Sequence, residues 1–229
     1  MNTQYDISDN KISDKILQNT SLIRDDIQFG YPPYMQLTQP IRPNLILDLN
    51  GILIYSSHLI DSTDVHKYVS LKNFLLIYKD FDMNMFIIYY RNYIKEFLLE
   101  LNNYYDIYVY STLNRTQTDV FISTINNLLG TNVFKGIFLK ITNINKKNLD
   151  IINHNKNNTV IIDLSEDLWN DCDTNIILIQ PFRGPHDVNY DKNNDLLFMK
   201  KCLLRIHKLF VDNLYSDIRN YIHDCVLSM

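Results

Sequence analysis

The stretch Asn44-Leu-Ile-Leu-Asp-Leu-Asn-Gly-Ile-Leu-Ile-Tyr-Ser-Ser57 decides how this chain is read. Its opening, Asn44 to Asp48, is a short apolar run that closes on an acid. Such a run suits a strand buried on both faces, as in a parallel sheet, better than one alternating between core and solvent. In open α/β sheets ligands bind just outside the carboxyl ends of the strands. An aspartate at that point is therefore a candidate for chemistry.

Two later runs have the same form. Ile107-Tyr-Val-Tyr-Ser111 ends on a hydroxyl, and Thr159-Val-Ile-Ile-Asp163 ends on a second carboxylate. Asn175-Ile-Ile-Leu-Ile179 is a fourth apolar strand. Phe74-Leu-Leu-Ile-Tyr78 and Met85-Phe-Ile-Ile-Tyr-Tyr90 flank Lys79-Asp-Phe-Asp82 as a β-hairpin. Helical spacing runs from Asn92 to Asn103 through Ile94, Phe97, Leu98 and Leu101. It returns from Thr118 to Leu129, with Gly130 placed as a C-cap. A short helix fits 148–153, and the segment from Asn194 to Val226 is long, with one charged and one apolar face. Strands alternating with helices predict an α/β domain around a parallel central sheet.

The composition bounds the class. The chain has 229 residues, 46% hydrophobic and 21% charged. That is enough for one domain with a buried core and excludes a disordered chain. Three widely spaced cysteines, Cys172, Cys202 and Cys225, suit reduced thiols rather than a disulfide framework. A net charge of -4 speaks against a direct nucleic-acid binder. The acidic, polar N-terminus is no secretory signal, and no apolar run approaches the ~20 residues that span a bilayer. The expectation is an intracellular protein, cytoplasmic or nuclear, with no membrane contact. Alanine is absent and about one residue in eight is Asn, the mark of AT-rich coding. Residues 1–42 carry Gly30-Tyr-Pro-Pro-Tyr34 and Gln39-Pro40-Ile-Arg-Pro43 at their end and read as a tail or wrapping arm. Residues 43–226 read as the domain.

Asp48, Ser111 and Asp163 at three strand ends, with a lysine nearby, describe a phosphate-plus-cation pocket. Carboxylates hold a hard cation such as magnesium, while hydroxyl and ammonium take phosphate oxygens.

These residues also resemble a known family. Leu45 to Ser57 resembles the first motif of the haloacid dehalogenase (HAD) superfamily, and more closely that of the FCP/SCP-type (NLI-interacting-factor-like) carboxy-terminal-domain phosphatases, roughly hhLDLDETLVHSS. Tyr90-Arg-Asn-Tyr-Ile-Lys-Glu-Phe-Leu98 is similar to the family's K-R-P-x-h-x-E-F-L. Tyr108-Val-Tyr-Ser-Thr112 is similar to its second motif. Lys147-Asn-Leu-Asp150 resembles K-D-L-S, 16 positions before Asp163. Val160-Ile-Ile-Asp-Leu-Ser-Glu-Asp-Leu-Trp169 resembles V-I-I-D-D-R-x-D-V-W. Asp195-Leu-Leu197 and Ser216-Asp-Ile-Arg-Asn-Tyr-Ile222 echo its C-terminal motifs.

The resemblance implies a HAD-like Rossmannoid parallel sheet flanked by helices, with a small β-hairpin insertion after the first strand. It implies Asp48 as the nucleophile that takes up the phosphoryl group. Ser111 and Lys147 would bind phosphoryl oxygens. A magnesium ion would be held by Asp48, Asp163 and the backbone carbonyl of position 50. The partner implied is a phosphoprotein or phosphopeptide; the sequence leaves the oligomeric state open.

Two positions depart from the pattern. The family's general acid/base aspartate is Asn50 here, and such assistance is typically worth ~10²–10⁴-fold in rate. The family's metal-ligating Asp or Asn after Asp163 is Leu164, which offers no oxygen. Asp167, four positions beyond Asp163, is the residue able to replace it. The expectation is thus a weak or inactive phosphatase, or a pseudophosphatase that binds phosphopeptides as a scaffold.

Overall fold

Leu45, Ile46 and Leu47 are all fully buried, which a strand achieves only at the middle of a sheet covered on both faces. They form β1 (Asn44–Leu47) in a computed structural model that describes residues 41–59, 74–79, 85–140, 146–149, 155–187 and 192–226. On either side of β1 lie β5 (Asp106–Ser111) and β7 (Thr159–Asp163), both parallel to it. β6 (Phe134–Leu139) and β8 (Ile176–Leu178) close the edges, giving the order β6-β5-β1-β7-β8. The protein is α/β, with a parallel five-stranded sheet as expected.

Side chains alternate across the sheet, and the two faces carry different cores. Leu45, Leu47, Ile107, Val109, Val160 and Ile162 join the larger cluster. That cluster contains the buried faces of α1 (Ile94–Leu101), α2 (Arg115–Leu129), α3 (Asp195–Asp212) and α4 (Arg219–Val226). Ile46, Tyr110 and Ile161 face the other way, against Leu149, Trp169, Cys172 and Ile176. This second face is built from short turns, and it carries the side chains that matter below.

A second sheet follows β1 directly. β2 (Ile54–Leu59), β3 (Phe74–Lys79) and β4 (Met85–Tyr90) pair antiparallel in the order β2-β4-β3. The expected hairpin is present as β3 and β4, enlarged by one strand. Its turn, residues 1–40 of the expected tail and most of the 148–153 segment lie outside the described residues.

The elements differ from the sequence reading most at α2, at the C-terminal segment and at β6. α2 starts at Arg115, because Asn114 Oδ1 accepts the backbone N–H of Gln117 at 2.9 Å, a side-chain N-cap. Its other end closes as expected on Gly130, at φ 72°. The segment from Asn194 to Val226 is two helices rather than one. Asn213 ends α3, and Leu214 and Tyr215 turn the chain at positive φ, 55° and 60°. β6 was not foreseen, since Lys135 and Gly136 interrupt its apolar run.

One buried cation ties the loop after β1 to the rest. Arg91 is 1% exposed. Its guanidinium donates to Ile52 O at 3.2 Å, to Gln180 O at 2.9 Å and to Asn193 Oδ1 at 3.2 Å, and it pairs with Asp195 at the start of α3. The two motifs that looked separate in sequence, around Arg91 and around Asp195, are thus one ion pair.

Candidate active site

Strand β1 ends at the topological switch of the sheet, since its two neighbours come from later parts of the chain on opposite sides. Asp48 follows β1 immediately, Ser111 is the last residue of β5, and Asp163 is the last residue of β7. Three adjacent parallel strands therefore deliver three polar residues to one edge, the place where such sheets bind ligands.

Lys147 reaches this edge from the second face. Its Nζ donates to Asp48 Oδ2 at 2.8 Å and to Asp163 Oδ2 at 2.7 Å. Lys147 and Asp163 are each 1% exposed, and Asp48 is 8% exposed. The chain around Lys147 has no apolar run to fix it as a strand. Instead Lys147 N donates to Leu168 O at 2.7 Å, and Asn170 N donates to Lys147 O at 2.9 Å, a single bridge to Trp169.

The charges respond to this burial. Burial, the largest influence, lifts the Asp48 carboxyl above its ordinary range while Lys147 pulls against it. For Lys147, burial alone lowers the ammonium's pKa, but Asp48 and Asp163 together overcome it and the group stands above a normal lysine. Two carboxyl groups thus share one ammonium, and loss of any of the three leaves buried charge uncompensated.

The remaining oxygens are also engaged. Leu49 N donates to Asp48 Oδ1 at 2.7 Å, and Leu164 N donates to Asp163 Oδ1 at 2.7 Å. Trp169 Nε1 donates to Asp163 Oδ2 at 2.7 Å, so that oxygen accepts two hydrogen bonds. Ser111 is fully buried, and its Oγ accepts Leu113 N–H at 3.1 Å. The hydroxyl's own proton remains a donor.

Asn50 sits in the tight turn after Asp48, where its Oδ1 accepts Ser56 N–H at 3.2 Å. Gly51 follows with φ 81°, its N–H donating to Ile54 O at 2.7 Å and its carbonyl accepting Phe182 N–H at 2.7 Å. A Cβ at Gly51 would stand 2.8 Å from Leu164 Cδ1. Leu164 thus packs its branched end on the loop that bears Asn50, where an oxygen ligand was expected. Gly51→Ala is expected to cost about 1–2 kcal/mol, from the left-handed backbone and this clash. Urea melts of the variant and of Gly51→Ala/Leu164→Ala check it, the second change recovering the steric part.

The sequence reading proposed Asp48, Asn50, Ser111, Lys147, Asp163 and Asp167. Asp48, Lys147 and Asp163 are in direct contact, and Ser111 lies at the same sheet edge. Asp167 is elsewhere: it is exposed on the turn Glu166–Leu168, with its N–H donating to Ser165 Oγ at 3.2 Å. Among the described residues no three His, Cys, Asp or Glu side chains gather to hold a metal ion. The reading gave no role to Trp169 or Tyr110. The signal for the first was present, since it is the chain's one tryptophan and lies inside a matched motif.

The family described as NLI interacting factor-like phosphatase matches residues 43–219. Among solved structures, the fission yeast RNA polymerase II CTD phosphatase Fcp1 bound to beryllium fluoride is similar at a TM-score of 0.63. It is 14% identical, over 79% of this chain and 70% of that one. A second structure, of Fcp1 as an essential RNA polymerase II CTD phosphatase, gives a TM-score of 0.60 and 14% identity over 79% and 69%. No curated protein matches. Among the described residues no helix is long and apolar enough to cross a membrane.

Proposed function

Since this chain belongs to the NLI interacting factor-like phosphatase family, a branch of the HAD superfamily, we propose that it acts on phosphorylated serine or threonine in protein by aspartate-based phosphoryl transfer, slowed at Asn50 and Leu164. The observation that carries this reading is the direct contact of Lys147 with both Asp48 and Asp163 at the carboxyl edge of the sheet. In the transfer, an Asp48 oxygen forms a bond to phosphorus as the ester P–O bond breaks. The Lys147 ammonium and the Ser111 hydroxyl donate to phosphoryl oxygens and offset the charge that develops there. Water then hydrolyses the aspartyl-phosphate and restores Asp48. Asn50 has no acidic proton to give, so the departing alkoxide is protonated by solvent, and this slows the first step.

Magnesium prefers near-octahedral oxygen coordination at short distances. Asp48 and Asp163 offer oxygens, but Asp163 Oδ2 already accepts from both Lys147 and Trp169. Leu164 offers methyl groups, and Asp167 points to solvent. With the carbonyl of Asn50, Asp48 and Asp163 would still be magnesium donors, but the side-chain oxygen expected at position 164 is gone, so the donor set is weakened, and Lys147 supplies positive charge beside Asp48.

The same two features favour a second reading, a phosphopeptide-binding module without turnover. Hydrolysis of an aryl phosphate, with and without magnesium, separates the two. Slow turnover in wild type that vanishes in Asp48→Asn is the expected result. Equal rates in wild type and Asp48→Asn would exclude nucleophilic Asp48. A wild type without turnover that still binds a phosphoserine peptide by calorimetry would install the second reading.

A further inference from the structure

Trp169 makes three different ties to the charged cluster. Its backbone is bridged to that of Lys147. Its indole Nε1–H donates to Asp163 Oδ2, the same oxygen that accepts Lys147 Nζ. Its ring centre lies 5.4 Å from Nζ, next to that of Tyr110 at 5.7 Å, and the two rings stand edge to face at 5.2 Å. An ammonium within about 6 Å of two ring centres is attracted to both, and this one is shielded from water. Packing alone accounts for a buried ring in this cluster of Ile46, Tyr110, Leu149 and Ile161. It does not account for a hydrogen bond aimed at the one carboxylate oxygen that also holds Lys147.

From this geometry we propose that Trp169 is a positioning residue: it holds Lys147 and Asp163 in the arrangement that brings the ammonium to Asp48. The physical reason is competition for one oxygen. With the indole N–H in place, part of the negative charge on Asp163 Oδ2 is already satisfied, so Lys147 is shared between Asp163 and Asp48. Without it, Asp163 draws the ammonium toward itself and away from Asp48. Tyr110 and Trp169 together keep the lysine stem from swinging out. The proposal rests on the phosphoryl-transfer reading for its consequence in rate, but its geometric content stands apart from turnover.

The test uses the full chain carrying Trp169→Phe, which keeps a ring and removes the donor, and Trp169→His, which keeps a ring N–H. The first readout is independent of activity: the side-chain ammonium resonance of Lys147 and the carboxyl ¹³C resonance of Asp48. Trp169→Phe is expected to shift both, and Trp169→His to restore them in part, while the thermal midpoint of each variant certifies folding. The wild-type indole N–H resonance, alone of its kind in this chain, is expected to move in Asp163→Asn. The second readout is aryl phosphate hydrolysis, where Trp169→Phe lowers kcat about 10-fold, the scale of one charge-assisted hydrogen bond, with KM changed less. Unchanged Lys147 and Asp48 resonances in folded Trp169→Phe overturn the proposal whatever the activity. Shifted resonances with an unchanged kcat overturn it too, since the contact is then only structural. If wild type has no turnover, the phosphoryl-transfer reading fails and the resonances alone decide the position of Lys147.

Discussion

Arg91→Ala is expected to lower folding stability by about 2–4 kcal/mol, since it empties a buried site and breaks an ion pair whose Asp195 end is partly exposed. The guanidinium is fully enclosed and spends its donors on Ile52 O, Gln180 O, Asn193 Oδ1 and Asp195. It also lies 5.7 Å from the centre of the Phe182 ring. Alanine leaves the buried Ile52 carbonyl and the partly buried Gln180 carbonyl without this donor, and Asp195 without its cation. Arg91→Lys keeps the charge but reaches fewer of these acceptors, because an ammonium lacks the planar fork. It should lose a smaller part of the stability. Urea unfolding followed by far-ultraviolet circular dichroism checks both, and an Arg91→Ala midpoint within error of wild type would refute the assignment. Because Ile52 follows Asn50 and Gly51 directly, the same variant is expected to loosen the turn that carries Asn50.

This ion pair also marks where sequence reasoning stopped. Arg91 and Asp195 were both visible as family-like motifs, 104 positions apart, but nothing local says that one neutralises the other. The strands that build the site were easier. β1, β5 and β7 are covered on both faces, so each is a continuous apolar run that ends where its polar residue begins. β6 is an edge strand of half-buried residues broken by Lys135 and Gly136, and no such run exists to be seen. The break between α3 and α4 was hidden for a different reason. It is made by Leu214 and Tyr215 at positive φ rather than by Gly or Pro, so the chain carries no ordinary stop signal there.

At the site, Asp48, Ser111 and Asp163 could be read from strand ends, whereas Lys147 came only from the family resemblance. Its place is fixed by a bridge to Trp169 and by two aromatic rings, long-range facts without a local pattern. Asp167 is the opposite case. Its spacing from Asp163 was right for a ligand, but the chain leaves β7 in a short 3₁₀ turn, and that turn carries Asp167 out to solvent. Spacing predicts a ligand only if the secondary structure between the two residues is known.

Asn50→Asp is expected to raise turnover about 10²–10⁴-fold, the usual worth of a positioned general acid. The geometry is permissive. Asn50 Oδ1 already accepts Ser56 N–H, and a carboxyl of the same shape keeps that bond while its second oxygen replaces the amide nitrogen. That second oxygen becomes the group able to protonate the departing alkoxide. The change also has a cost, because a third carboxyl enters a cluster that already sets two carboxyl groups against one ammonium. Its ionised form is disfavoured beside Asp48 and Asp163, which helps it as an acid, while any fraction that ionises repels phosphate. Leu164→Asp, added to it, supplies the oxygen missing for a hard cation, and the cation held there would offset that excess. The double variant is therefore expected to respond to magnesium more strongly than wild type. Rates with and without magnesium on wild type, each single variant and the pair, with Asp48→Asn added as the blank, separate the two losses. A gain in Asn50→Asp alone identifies the missing acid as the limiting defect. A gain only in the pair identifies Leu164. If neither raises turnover while all variants remain folded, the Asp48–Lys147–Asp163 contact serves binding rather than transfer, and the phosphopeptide module is what remains.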